Sequence, residues 1–136
     1  LMASIFSKII AGEIPCYKVA ETANCFAFLD VKPLAKGHLL VVPKSEIDNF
    51  FDLGDEHYVE INLFAKELAK SLASVVPCIK VGMAVIGLEV AHAHIHLVPI
   101  NKISDLNFNN PRVELDHAQM TAIAAAIAEE YERGTK

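Results

Sequence analysis

Histidines alternate with apolar residues in the run His92-Ala93-His94-Ile95-His96-Leu97-Val98, and this alternation constrains the fold more than any other feature of the chain. Successive side chains of a strand point to opposite faces, so a period of two predicts a strand, here His92 to Ile100. Ala93, Ile95 and Leu97 then turn into a core while three imidazoles share the other face. The chain holds six histidines in 136 residues. Random placement would produce this pattern about 0.01 times in such a chain, so chance does not explain it. Burying three unpaired imidazoles would cost several kcal/mol, so a ligand or solvent must meet that face.

The rest of the chain supplies partners for such a strand. Ser4 is a candidate cap for a short helix through Phe6, Ile9 and Ile10, stopped by Gly12 and Pro15. Short strands are predicted around Cys16 to Ala20 and Cys25 to Asp30. His38-Leu39-Leu40-Val41-Val42, bounded by Gly37 and Pro43, reads as a central strand buried on both faces. Tyr58, Ile61, Ala65, Leu68 and Leu72 recur at helical spacing, with Asp55 as cap and Pro77 beyond the end, which predicts a helix of about five turns. Lys80 to Ile86 and His92 to Ile100 read as a hairpin joined by a short turn at Gly87. Asp116 and Gln119 form a candidate capping box for a final helix over about 116–132, with Met120, Ile123, Ile127 and Tyr131 as its apolar stripe and Gly134 as its stop. The fold class expected is α+β: an antiparallel sheet with helices packed on it.

An apolar content of 53% supplies one core, and the absence of linkers or repeats points to one domain over 1–136. The net charge of -5, with 21% charged residues, argues against a general nucleic-acid binder. The longest apolar stretch is too short to span a bilayer and no secretory leader is evident, so no membrane partner and a cytoplasmic location are expected. Cys16, Cys25 and Cys78 are widely spaced and odd in number, which favours reduced thiols. Leu1 ahead of Met2 is read as an added remnant outside the fold.

Three imidazoles on one face suit two chemistries, because a neutral imidazole nitrogen is both a nucleophile and a metal ligand. In phosphorus chemistry the middle histidine attacks while its neighbours hold phosphate oxygens, and no metal or other cofactor is needed. In metal chemistry, outer positions about 13 to 14 Å apart along a strand cannot share one ion, so two histidines would need ligands from elsewhere. A metal analysis of purified protein separates these readings.

With these residues in view, the chain resembles the histidine triad (HIT) family, in its Hint-like branch, whose mark is H-x-H-x-H followed by apolar residues. A second matching block runs Phe28-Leu29-Asp30-Val31-Lys32-Pro33-Leu34-Ala35-Lys36-Gly37-His38-Leu39-Leu40-Val41-Val42-Pro43-Lys44, and the opening Ser4-Ile5-Phe6-Ser7-Lys8-Ile9-Ile10 with Gly12-Glu13-Ile14-Pro15 looks like the family's first helix. The resemblance covers about residues 4–100. It implies a five-stranded antiparallel sheet, a two-fold homodimer, and hydrolysis or transfer on nucleoside phosphoramidates or dinucleotide-type phosphates through a nucleotidyl-histidine intermediate, with a purine nucleotide as the preferred substrate. On this resemblance His94 is the nucleophile, and His92, His96 and His38 orient it and contact the phosphate. Asp30 accepts from the ribose hydroxyls, while Val31, Phe28, Phe6, Ile5 and Ile9 form the base pocket.

The chain also departs from the family pattern. Leu88 replaces a usual Gln, and Glu89 replaces a small hydroxyl residue beside the phosphate, where a carboxylate is repulsive unless it turns away or is protonated. A nucleotide-binding sensor or partner-binding module with little catalysis is therefore the alternative reading. Ser4 and Ser7 replace a Cys-x-x-Cys pair that binds structural zinc in some relatives, and Glu46 replaces a frequent histidine, so no zinc is expected there. The stripe carrying Tyr58, Ile61, Leu68 and Leu72 is a candidate dimer surface, unless it is fully internal.

Overall fold

The computed structural model describes residues 3–134; the Leu1–Met2 pair lies outside them. Five strands form one antiparallel sheet in the order β1-β2-β3-β5-β4: β1 is Lys18–Glu21, β2 Cys25–Leu29, β3 Leu39–Pro43, β4 Lys80–Ala84 and β5 Ile95–Ile100. The helices are α1 (Ile5–Ile10), α2 (Asp55–Val75) and α3 (His117–Gly134), with short 3-10 turns at Phe50–Asp52 and Ile103–Leu106. The expected α+β architecture with a five-stranded antiparallel sheet is what forms. Among the described residues no helix is long and apolar enough to cross a membrane.

The period of two sorts the sheet into two apolar faces. Ala27, Leu29, Leu39, Val41, Ile95 and Leu97 join Ile61, Leu68, Leu72, Ile123 and Ile127 of α2 and α3 in the main core. Phe26, Phe28, Leu40 and Val42 face the other way and join Phe6 of α1 in a smaller cluster. Every residue of β3 is buried, as its continuous apolar run predicts.

Local signals set several element ends. Ser4 caps α1, accepting from the Ser7 N–H at 3.0 Å. At the start of α3, the Gln119 N–H donates to Asp116 and the Asp116 N–H donates to the Gln119 side chain, a reciprocal capping box. Gly37 has φ +90°, and a Cβ there would lie 2.8 Å from Leu72 Cδ1 and 2.9 Å from Val76 Cγ2. Only glycine lets the chain pass this close to the end of α2 and enter β3 behind His38.

Several expectations need correction. The strand expected from His92 begins only at Ile95, so His92 and His94 lie in the preceding loop and only His96 is on β5. Alternation survives for burial, with Ala93, Ile95 and Leu97 in the core, because a loop can keep side-chain alternation without pairing its backbone. The β4–β5 connection runs over 85–94, much longer than the short turn expected. The cap of α2 is Gly54, without a side-chain bond, and Asp55 is the first helical residue. This helix has 21 residues, close to six turns. The candidate dimer stripe is internal except at its first residue: Ile61, Leu68 and Leu72 have no exposed surface, whereas Tyr58 is exposed.

Candidate functional site

The site is a cleft of about 360 Å³ beneath the loop between β4 and β5. Phe6, Leu40, His94 and His96 form its buried floor, and the exposed Ile5, Ile86, Leu88, Glu89 and Arg112 form its mouth. Helix α1 brings Phe6 edge-on to His94, with ring centroids 5.0 Å apart.

Backbone groups set the tautomers of the floor histidines. His94 Nδ1 lies 2.8 Å from the His92 carbonyl oxygen. A carbonyl can only accept, so Nδ1 carries the proton and, in neutral His94, Nε2 keeps its lone pair. Burial pushes the His94 imidazole below its ordinary pKa, which favours that neutral form.

His96 is set differently. The Leu34 N–H donates to His38 Nδ1 at 2.9 Å, so neutral His38 carries its proton on Nε2. That nitrogen is 2.9 Å from His96 Nδ1 and donates to it, which leaves the proton of neutral His96 on Nε2. Burial first, then nearby positive charge, lowers His38 to about 4 and His96 to about 3, so both are neutral near pH 7. One floor imidazole thus offers a lone pair and its neighbour, 4.8 Å away between ring centroids, offers an N–H.

His92 has both ring nitrogens engaged away from the cleft. Nε2 donates to the Pro43 carbonyl at 2.8 Å and Nδ1 is 2.7 Å from Ser4 Oγ. The Ser7 hydroxyl donates to Glu46 Oε1 at 2.8 Å, and the Ser4 N–H donates to the same oxygen. These two contacts hold the Glu46 carboxyl below its ordinary pKa. Ser4, Ser7, Glu46 and His92 therefore join α1 to the loop that carries His94.

Asp30 closes the other side of the cleft. Oδ1 accepts from the Lys32 N–H at 2.9 Å, while Oδ2 is 3.7 Å from His38 Nε2. Burial raises its pKa, partly offset by the Lys32 N–H and by Arg112. Among the described residues Asp30, His38 and His96 are the one set of three or more ligand atoms close enough to hold a metal, all within 4.8 Å of one another. The His38 nitrogen facing this group carries a proton because Leu34 occupies the other one. The set as it stands is a hydrogen-bonded chain, and metal binding requires its rearrangement.

The HIT domain model matches residues 11–103. The chain belongs to the HIT family. An adenosine 5'-monophosphoramidase of Schizosaccharomyces pombe is 38% identical to this HIT protein over 99 residues, 72% of this chain and 74% of that one. An adenosine 5'-monophosphoramidase of Saccharomyces cerevisiae is 39% identical over 98 residues, 71% of this chain and 62% of the relative, so the match spans less than two thirds of that protein. The crystal structure of a Hit-like protein involved in cell-cycle regulation from Bartonella henselae superposes with a TM-score of 0.80 at 26% identity, covering 93% of this chain and 95% of that chain.

The HIT residues named from sequence divide by position. His94, His96, Asp30, Glu89, Ile5 and Phe6 line the cleft. Phe28 and Ile9 pack behind Phe6 in the smaller apolar cluster, and His38 and His92 support the floor from behind. Val31 is 68% exposed and lines a different cavity with Tyr17 and His117.

Phe108, Asn109 and Arg112 also line the cleft but have no counterpart in the sequence reading. Phe108 packs edge-on to His96, with ring centroids 4.7 Å apart, and Arg112 lies over Phe108 while donating to the Lys32 and Phe108 carbonyls. The only sequence signal was an aromatic followed four residues later by Arg in a segment without periodicity.

Proposed function

We propose that this HIT protein is a nucleotide-binding hydrolase or transferase that acts on nucleoside phosphoramidates or dinucleotide-type phosphates, through a nucleotidyl-histidine intermediate on His94. The observation carrying this reading is the contrast between adjacent imidazoles, a lone pair on His94 Nε2 beside an N–H on His96 Nε2. His94 Nε2 attacks phosphorus and the bond to the leaving amine or phosphate breaks, its electron pair going to the leaving atom, which takes a proton from solvent at the open mouth. Water then attacks the same phosphorus and gives up its proton to solvent, the P–Nε2 bond breaks with its electron pair returning to Nε2, and His94 returns to its neutral form. The His96 N–H and the Arg112 charge stabilise the phosphate oxygens as negative charge builds. Asp30 Oδ2 accepts from ribose hydroxyls, and Ile5, Phe6 and Leu40 offer an apolar seat for a purine.

The similarity to two adenosine 5'-monophosphoramidases favours adenosine monophosphate joined to an amine as the first substrate to try. Native protein should release the amine, whereas His94→Ala should not, and acid-labile nucleotide should be recoverable on quenched native protein. Equal turnover by both proteins would remove His94 from its role. The exposed Leu88 and the carboxylate of Glu89 at the mouth favour one alternative, a nucleotide-binding sensor. Tight nucleotide binding with neither turnover nor adduct would establish it.

The assembly proposed is a homodimer. Its surface is not the internal stripe of α2 but the exposed Val59 and Leu63, one turn apart on that helix, together with Met83 on the edge strand β4 and Val85 just beyond its end.

A further inference from the structure

The charges around the cleft are divided. Glu89 is an exposed carboxylate on the mouth, and among the described residues it has no hydrogen-bond or ion-pair partner. Its field reaches both His94 and Asp30. Arg112, the cation of the same cleft, is anchored by the Lys32 and Phe108 carbonyls, and its field acts on Asp30, His38 and His96. A second cavity, of about 320 Å³, reaches His94 from the other side of the Ile86-Gly87-Leu88 loop; its lining carries Asp48 and no Lys or Arg.

His94 is at the floor, 6% exposed. Displacement in line with attack by its Nε2 sends the leaving group away from the floor, toward the mouth. Of the two charges at the mouth, that of Arg112 is held on the Asp30 and His96 side by the Lys32 and Phe108 carbonyls, and that of Glu89 is held by no hydrogen bond or ion pair among the described residues. A carboxylate at this position repels a leaving phosphate or carboxylate and attracts a leaving amine that carries a second, protonated amine. We infer that Glu89 is a specificity-determining residue that selects phosphoramidates whose leaving amine bears a positive charge a few bonds from the scissile nitrogen. This rests on the phosphoramidase reading and narrows it: dinucleotide-type phosphates, with anionic leaving groups, become poor substrates.

The test uses three phosphoramidates of adenosine monophosphate: one of a diaminoalkane, one of the neutral alkylamine of equal length, and one of the amino acid in which a carboxylate replaces the second ammonium. Native protein should show kcat/KM at least about fivefold higher for the cationic than for the neutral substrate, with the anionic one lowest, the size of one partly screened charge contact. The preference should shrink as salt is raised. Glu89→Gln should bring the ratio of cationic to neutral to about one, Glu89→Lys should favour the anionic substrate, and Asp48→Asn should retain the native order.

Turnover of all three substrates at equal kcat/KM, or an order unchanged in Glu89→Gln, overturns the inference and leaves the phosphoramidase reading standing. So does an order lost in Asp48→Asn but kept in Glu89→Gln. Turnover of none of the three by native protein overturns the phosphoramidase reading itself, and the inference with it.

Discussion

His94 Nδ1 lies 2.8 Å from the carbonyl oxygen of His92, and this contact fixes which nitrogen of His94 can react. His92 is in turn held by Ser4 and Pro43. The order of the pair along the chain thus becomes an order of support, with one histidine placing the next.

The pH dependence of turnover follows from that contact. Burial lowers the pKa of His94, and the nucleophile acts as the neutral form. Activity should therefore hold at neutral pH and fall on the acid side with a midpoint below about 6.5, the ordinary histidine value. Glu89 pulls this pKa upward, so Glu89→Gln should move the acid limb lower still. A profile of kcat/KM against pH measures both, and an acid midpoint above the ordinary value would contradict the first.

Stability should also respond to acid through His38 and His96. Their pKa values in the fold are about 4 and about 3, below the unfolded value of about 6.5. As pH falls below that value the unfolded chain takes up protons that the folded chain refuses, so the stability present above it is progressively lost until pH passes through the folded values. Urea denaturation should show a loss of roughly 2 to 4 kcal/mol between pH 7 and pH 5. His96→Asn, which keeps an acceptor for the His38 N–H, should show a smaller loss over the same range.

Ser4 serves two elements, capping α1 and contacting His92 Nδ1. Ser4→Ala should lower stability by about 1 to 2 kcal/mol, since it removes a cap and a buried partner together. Ser4→Thr retains the hydroxyl and should recover most of the loss. Equal denaturation midpoints for the two variants would show that the hydroxyl contributes nothing.

Two leucines of α2 separate core from interface. Leu68 has no exposed surface, whereas Leu63 is 57% exposed. Leu68→Glu should abolish folding, because it buries an unpaired carboxylate among apolar side chains. Leu63→Glu should fold with native circular dichroism and, by light scattering, have the mass of one chain where the native protein has that of two. A native protein with the mass of one chain would end the dimer proposal.

The sequence alone determined the parts of this protein that depend on spacing and local chemistry. The alternation around the histidines, the Ser4 cap, the reciprocal Asp116–Gln119 box and the apolar run entering β3 were all legible, because each concerns groups within a few residues of one another. The histidine run also carried the family, although not the strand: pairing of His92 and His94 depends on what neighbours offer, and β3 registers with β5 only from Ile95 to Leu97.

The tertiary structure decided which histidines face the cleft, and it set the tautomer of His96 by bringing His38 Nε2 to its Nδ1 from a distant part of the chain. It also decided that Val31 opens onto another cavity and that Phe108 and Arg112 join the site. Those two residues reach His96 and Asp30 from a segment with no repeating pattern. Their placement depends on the path of the chain after β5, which no local spacing encodes.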